Sequence, residues 1–100
     1  MKPNKLRQLL QKKKKLVILD VREKDEFSKK DSIQGSKNMP MGKVFVEASK
    51  GKLPKNKKII TVCSKGTRCK IVARELRKKG YDIEHLEGGL MAWKERRKDK

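Results

Sequence analysis

The sequence predicts an α/β fold, a small parallel or mostly parallel β-sheet with helices on both of its faces. Three observations predict it. LVILD (16–20) and IITVC (59–63) are short continuous apolar runs, the pattern of strands buried on both sides. Between Thr67 and Lys79 the apolar positions Cys69, Val72, Ala73 and Leu76 fall at i, i+3, i+4 and i+7, one face of a helix that Gly80 stops. Strand and helix signals also alternate along the chain, the order that yields a parallel sheet with crossover helices.

Each element has its own local reason. Pro3 and Asn4 open a first helix, expected over 4–14, with Leu6, Leu9 and Leu10 at helical spacing and a lysine run closing it. LVILD is the first buried strand. Residues 23–30 are polar and helix-tolerant around Phe27. DSIQGSKNMP (31–40) carries Gly, Asn and Pro as turn punctuation and leaves room for a very short strand. Residues 42–50 suit a short helix with Val44, Phe45 and Ala48 as its apolar face. KLPKNKK turns the chain into the second buried strand, IITVC. After the 67–79 helix, YDIEHL (81–86) reads as a third strand, Gly88-Gly89 as a tight turn and LMAWKERRK as a last helix.

One hundred residues are expected to make a single domain, 1–100, with its core over about 16–94. Apolar residues are 34% of the chain and 42% is charged, so few side chains can fill that core. They cluster at 16–19, 59–62, 69–76 and 90–93, which argues for folding rather than disorder. No apolar run approaches the roughly 20 residues that span a bilayer, so no membrane partner is expected. The start, MKPNKLRQLLQKKKK, has no apolar stretch of signal-peptide length, and the expectation is a soluble, cytoplasmic protein. The formal charge of +18 is spread over the first fifteen residues, 50–58, 77–79 and the C-terminus, as a solvated coat. Phe27, Phe45, Tyr81 and Trp93 do not interleave with the basic residues as in an RNA-binding module. Loose, salt-sensitive attraction to polyanions is expected, and no specific nucleic-acid partner.

The chemistry concentrates in TVCSKGTRCK (61–70). Cys63 ends a buried strand and Asp20 ends another, and in parallel folds chemistry sits at those carboxyl ends. The thiol could be buried filler, half of a disulfide, a metal ligand or a nucleophile. Two cysteines and one distant histidine, His85, do not make a zinc site, so no metal and no cofactor is expected. Gly66 lets the loop curl and turn its amides inward just before a helix, an arrangement that favours an anion. Lys65 and Arg68 add positive charge. These terms favour thiolate over thiol, so the Cys63 pKa should fall below the free value of about 8.5.

From about Leu16 to Lys94 the chain resembles the rhodanese-like domain family, on LDVREKDEF (19–27), SIQGSKNMP (32–40), VCSKGTRC (62–69) and LEGGLMAW (86–93). The resemblance implies a sulfurtransferase in which Cys63 attacks the outer sulfur of thiosulfate, releases sulfite and carries a persulfide that cyanide or a cellular thiol then discharges. Backbone N–H groups of Ser64, Lys65, Gly66, Thr67 and Arg68 are the expected donors to that sulfur, and Lys65 the expected partner for the sulfonate end of thiosulfate. Related phosphatases place five residues between Cys and Arg. Here four, SKGT, separate Cys63 from Arg68, a tighter ring suited to one sulfur atom.

The resemblance also makes Asp20 and Arg22 braces of the loop, with Glu26 as a partner for Arg22, and a structural ion-pair set is favoured over direct chemistry. Asp31-Ser32-Ile33 stands where the family often has Gly-His-Ile. Cys69, where the family often has serine, is either a small packing residue or a resolving thiol. His85 reads as packing or edge decoration, and Trp93 as packing on the sheet or as a pocket wall. A persulfide carrier that receives sulfur from a partner protein is the competing function.

Overall fold

The computed structural model describes residues 1–12, 14–28 and 31–98. The elements in chain order are α1 (Pro3–Gln11), β1 (Leu16–Asp20), β2 (Lys37–Asn38), α2 (Met41–Ser49), β3 (Lys58–Val62), α3 (Thr67–Arg77), β4 (Ile83–His85) and α4 (Gly89–Lys98). The strands form one sheet in the order β2-β1-β3-β4, and each neighbouring pair is parallel. This is the expected α/β sheet.

β1 and β3, the two uninterrupted apolar runs, take the centre, with Leu16 opposite Lys58 and Asp20 opposite Val62. Their side chains alternate between two cores. Leu19 and Ile59 face α2 and α3, where they meet Val44, Ala48, Val72 and Leu76. Ile18, Ile60 and Val62 face the other way, against Leu6 of α1, Leu86 and Leu90 of α4. Helices therefore cover both faces, and each fully buried aliphatic side chain contributes about 1.5–3 kcal/mol by leaving water.

Some boundaries differ from the sequence reading. α1 starts at Pro3, whose fixed φ and missing N–H suit a first helical position. Lys13, near its expected end, lies outside the described residues. The helix-tolerant stretch after β1 is a turn, closed by the Glu23 carbonyl accepting from the N–H of Glu26 (2.9 Å) and Phe27 (3.3 Å). Lys29 and Lys30, from the same stretch, also lie outside the described residues. β4 is shorter than 81–86, because the Tyr81 N–H turns back to the Leu76 carbonyl at 3.2 Å to close α3. No helix among the described residues is long and apolar enough to cross a membrane.

The parallel register brings the carboxyl ends of β1 and β3 to one edge. The Val21 N–H donates to the Val62 carbonyl at 2.8 Å, so the chain leaves both strands side by side, with Cys63 next in line.

Candidate active site

Cys63 is the first residue past β3, and Gly66 is the N-cap of α3. Gly66 has φ +101°, a left-handed conformation open to glycine, and it folds the loop back over the sulfur. The Gly66 N–H donates to Cys63 Sγ at 3.1 Å and the Cys69 N–H at 3.4 Å. The Cys69 Sγ lies 3.4 Å from the Cys63 Sγ. Of the span expected to supply donors, Ser64 to Arg68, Gly66 makes the 3.1 Å bond and Arg68 adds its backbone dipole. The second hydrogen-bonding N–H belongs to Cys69, one residue beyond that span.

On its other side the loop is tied to the last helix. The carbonyls of Cys63 and Ser64 accept from the N–H groups of Leu90 (2.8 Å) and Met91 (3.0 Å). Those N–H groups belong to the first turn of α4 and have no partner within their own helix. The loop carbonyls satisfy them, and these bonds anchor the first two peptides of the loop on α4. Gly89 makes this approach possible. It has φ +60°, and a Cβ there would stand 2.4 Å from the Cys63 carbonyl oxygen and 2.7 Å from that of Ser64. Gly88 and Gly89 read in the sequence as a turn. Their role as the seat for the loop was signalled only by a double glycine placed directly before a helix.

The electrostatics follow from this geometry. The Cys63 thiol is lowered to about 5, first by the hydrogen bond with the Cys69 thiol, then by the backbone N–H groups of Cys69, Gly66 and Arg68, with burial opposing. At neutral pH the S–H of Cys69 thus donates to a Cys63 thiolate. The same contact, together with burial, holds the Cys69 thiol far above its ordinary range. Cys63 is 1% exposed and Cys69 is fully buried. The buried Thr61 hydroxyl donates to the Cys69 carbonyl at 2.9 Å and ties the first turn of α3 to β3.

Arg68 is paired through its side chain with Glu26. Its guanidinium makes two bonds to Glu26, Nη1 to Oε2 at 2.7 Å and Nη2 to Oε1 at 2.9 Å, clasping the loop to the turn after β1. The guanidinium lowers the Glu26 carboxyl to about 2. Glu26 was expected to pair with Arg22, and this expectation is corrected. Arg22 is instead forked onto the fully buried Asp20, Nε to Oδ1 at 3.0 Å and Nη2 to Oδ2 at 2.9 Å, and reaches Asp31 on its far side. Asp20 ends β1 and Arg22 follows two residues on, where a planar fork fits the carboxylate. Asp20 and Arg22 therefore brace the corner after β1, and Glu26 links that corner to the loop.

Lys65 and Thr67 are exposed on the loop and Ser64 is half-buried. Trp93 packs beside the α1/α4 core under the Arg7 guanidinium, 4.2 Å from its ring centre. His85 sits half-buried on β4, opposite Thr61, and burial lowers its pKa. A cleft of about 480 Å³ is lined by Phe27, next to Glu26, and by residues 32–36. Among the described residues no group of three or more His, Cys, Asp and Glu side chains could hold a metal ion.

Comparison with known proteins places this arrangement. Residues 2–96 match the family described as "Rhodanese-like domain". The chain is 30% identical over 92 residues to the "Probable adenylyltransferase/sulfurtransferase MoeZ" of Mycobacterium tuberculosis, a match covering 91% of this chain and 23% of that protein. It is 32% identical over 78 residues to the tRNA sulfurtransferase of Desulfurococcus amylolyticus, covering 78% of this chain and 15% of that protein. The chain thus spans less than a quarter of the length of these relatives. Among solved structures, a rhodanese-related protein from Thermoplasma volcanium superposes with a TM-score of 0.82 at 27% identity, covering 96% of this chain and 90% of that one. With the fold, the Cys63 loop and a match over nearly its whole length, the chain belongs to the rhodanese-like domain family.

Proposed function

We propose that this chain is a sulfurtransferase that moves a sulfane sulfur from thiosulfate, or another persulfide donor, through a persulfide on Cys63 to cyanide or a thiol. The observation that carries the reading is the Cys63 sulfur held by the Gly66 N–H at 3.1 Å and the Cys69 N–H at 3.4 Å. Such a sulfur is a thiolate at neutral pH without any histidine beside it, and a thiolate is the attacking form.

In the first half-reaction the Cys63 thiolate attacks the outer sulfur of thiosulfate. The S–S bond breaks and sulfite leaves with its electron pair. The negative charge then sits on the terminal sulfur of the persulfide, within reach of the same inward N–H groups and the positive end of α3. In the second half-reaction an acceptor attacks that terminal sulfur and Cys63 departs as thiolate, ready for another cycle. Lys65, exposed on the loop, is the cation offered to the sulfonate of the donor. Two relatives bear sulfurtransferase names, which supports the reaction class. Because the chain matches so little of their length, their acceptors are not transferred to it.

The test follows thiocyanate formed from thiosulfate and cyanide by wild type and Cys63→Ser. Thiocyanate from wild type alone is the expected result. A second reading, a carrier loaded by a partner protein, draws on the burial of Cys63, which is 1% exposed and poorly open to a free anion. It would be favoured by a chain that is inert to thiosulfate yet yields thiocyanate after loading by a protein persulfide. No Cys63-dependent thiocyanate with any donor would sink both.

A further inference from the structure

We propose that Cys69 is a resolving thiol, which attacks the inner sulfur of the Cys63 persulfide, expels the outer sulfur as sulfide and leaves a Cys63–Cys69 disulfide. The inference rests on the reading of Cys63 as a persulfide carrier and adds a second outcome for the loaded sulfur, release as sulfide without any external acceptor.

The geometry carries it. The two Sγ atoms stand 3.4 Å apart with nothing between them. Cys69 lies in the first turn of α3, and its own N–H also bonds the Cys63 sulfur, so the two residues are held by one short loop. The Thr61 hydroxyl at 2.9 Å pins the Cys69 carbonyl and limits its drift. A disulfide would need the sulfurs to close to about 2.05 Å, a movement of side chains rather than of elements. Both cysteines are at most 1% exposed, so a nucleophile already inside the loop has an advantage over a thiol arriving from solvent.

Loading changes what Cys69 faces. In the resting loop its proton is shared with the Cys63 thiolate, and its other acceptors are the carbonyls of Gly66 at 3.4 Å and Leu86 at 3.8 Å. Once Cys63 carries sulfur, its Sγ belongs to an S–S bond and has no negative charge. The charge has moved one atom outward, to the terminal sulfur. The contact that held the Cys69 proton is gone, and the atom opposite Cys69 has become an electrophile.

The step balances. The Cys69 sulfur forms a bond to the Cys63 Sγ, and the Sγ–terminal sulfur bond breaks. The terminal sulfur leaves with the electron pair and takes the Cys69 proton as HS⁻. The sulfane sulfur is reduced to sulfide, and the two cysteine sulfurs are oxidised to the disulfide. A reductant of the dithiol class then restores both thiols by exchange.

The experiment is a single turnover without oxygen. Fully reduced wild type, Cys69→Ser and Cys63→Ser are each treated briefly with thiosulfate and, separately, with inorganic polysulfide, then freed of donor. Sulfide and non-reduced intact mass are followed with time. Wild type is expected to release about one sulfide per loaded chain and to finish about 2 Da below its reduced mass, a loss that a dithiol reverses. Cys69→Ser is expected to keep a gain of about 32 Da and to release sulfide at least about tenfold more slowly. Wild type that holds its added sulfur as long as Cys69→Ser, or equal sulfide from both, overturns the inference and leaves sulfur transfer through Cys63 intact. If no form gains sulfur or releases sulfide with either donor, the persulfide reading itself falls and this inference falls with it.

Discussion

The backbone N–H of Leu90 donates to the carbonyl oxygen of Cys63 at 2.8 Å, and this one bond couples the last helix to the thiolate loop. A helix start normally needs a side-chain cap or water for its free N–H groups. Here two loop carbonyls serve, and α4 in return anchors the loop, with Gly89 packed closely against the Cys63 and Ser64 carbonyls and the Gly66 nitrogen.

Gly89→Ala therefore should damage the loop and the fold together. The new Cβ would meet the Cys63 carbonyl oxygen at 2.4 Å, and φ +60° is unfavourable for alanine. The expected cost is roughly 2 kcal/mol or more, a fall in Tm of about 8–16 °C for a domain this small. Thermal unfolding measures the cost. Cys63 alkylation in the folded variant at pH 6 should also slow as the N–H groups lose their aim, and an unchanged alkylation rate would argue against the coupling.

The alkylation rate of Cys63 should titrate with a midpoint near pH 5, where its lowered thiol gains a proton. The sign is that of a depressed group: above that midpoint the sulfur is thiolate and the rate is flat, and below it the rate falls about tenfold per pH unit. Cys69→Ala removes the largest contribution, the thiol hydrogen bond, so the midpoint should rise toward the free value of about 8.5 without reaching it. Mass-resolved alkylation against pH reads both forms. Superposed profiles would show that the Cys69 thiol does not hold the Cys63 charge.

Glu26→Gln isolates the clasp on the loop. Arg68 and Glu26 are each about one third exposed, 33% and 36%, so solvent screens the pair and the variant should unfold at nearly the wild-type temperature. The Arg68 cation, no longer neutralised, should attract an anionic donor better, with the thiosulfate KM falling about two- to fivefold at low salt and the gain fading at high salt. Steady-state kinetics at two ionic strengths measures this. A raised KM would mean that Glu26 is needed to aim Arg68.

The sheet and the loop were legible because their signals are local. LVILD and IITVC have no polar alternation, and four consecutive helix-face positions run from Cys69 to Leu76. Cys63 stood out because a thiol, a glycine and a helix start adjoin in sequence. The partners were less legible. Arg68 and Glu26 are 42 residues apart, and which arginine a carboxylate meets depends on how two loops fold at one sheet edge. Arg22 was within reach of both Asp20 and Glu26, and only the buried corner decides for Asp20. Helix periodicity placed Cys69 on an inward face but could not say that inward meant toward another sulfur. The hydrogen bonds from Leu90 and Met91 run between main-chain groups and leave no mark on side-chain identity beyond the glycines that admit them.

The strands at the two sides of the sheet are short, two residues in β2 and three in β4. Each outer margin therefore offers only a few unpaired main-chain groups, too few to template an added strand from another polypeptide. The sheet therefore disfavours recruitment of a peptide by strand addition. A partner for the proposed sulfur transfer would instead be met by side chains and loops at the carboxyl ends of β1 and β3, where Cys63 lies.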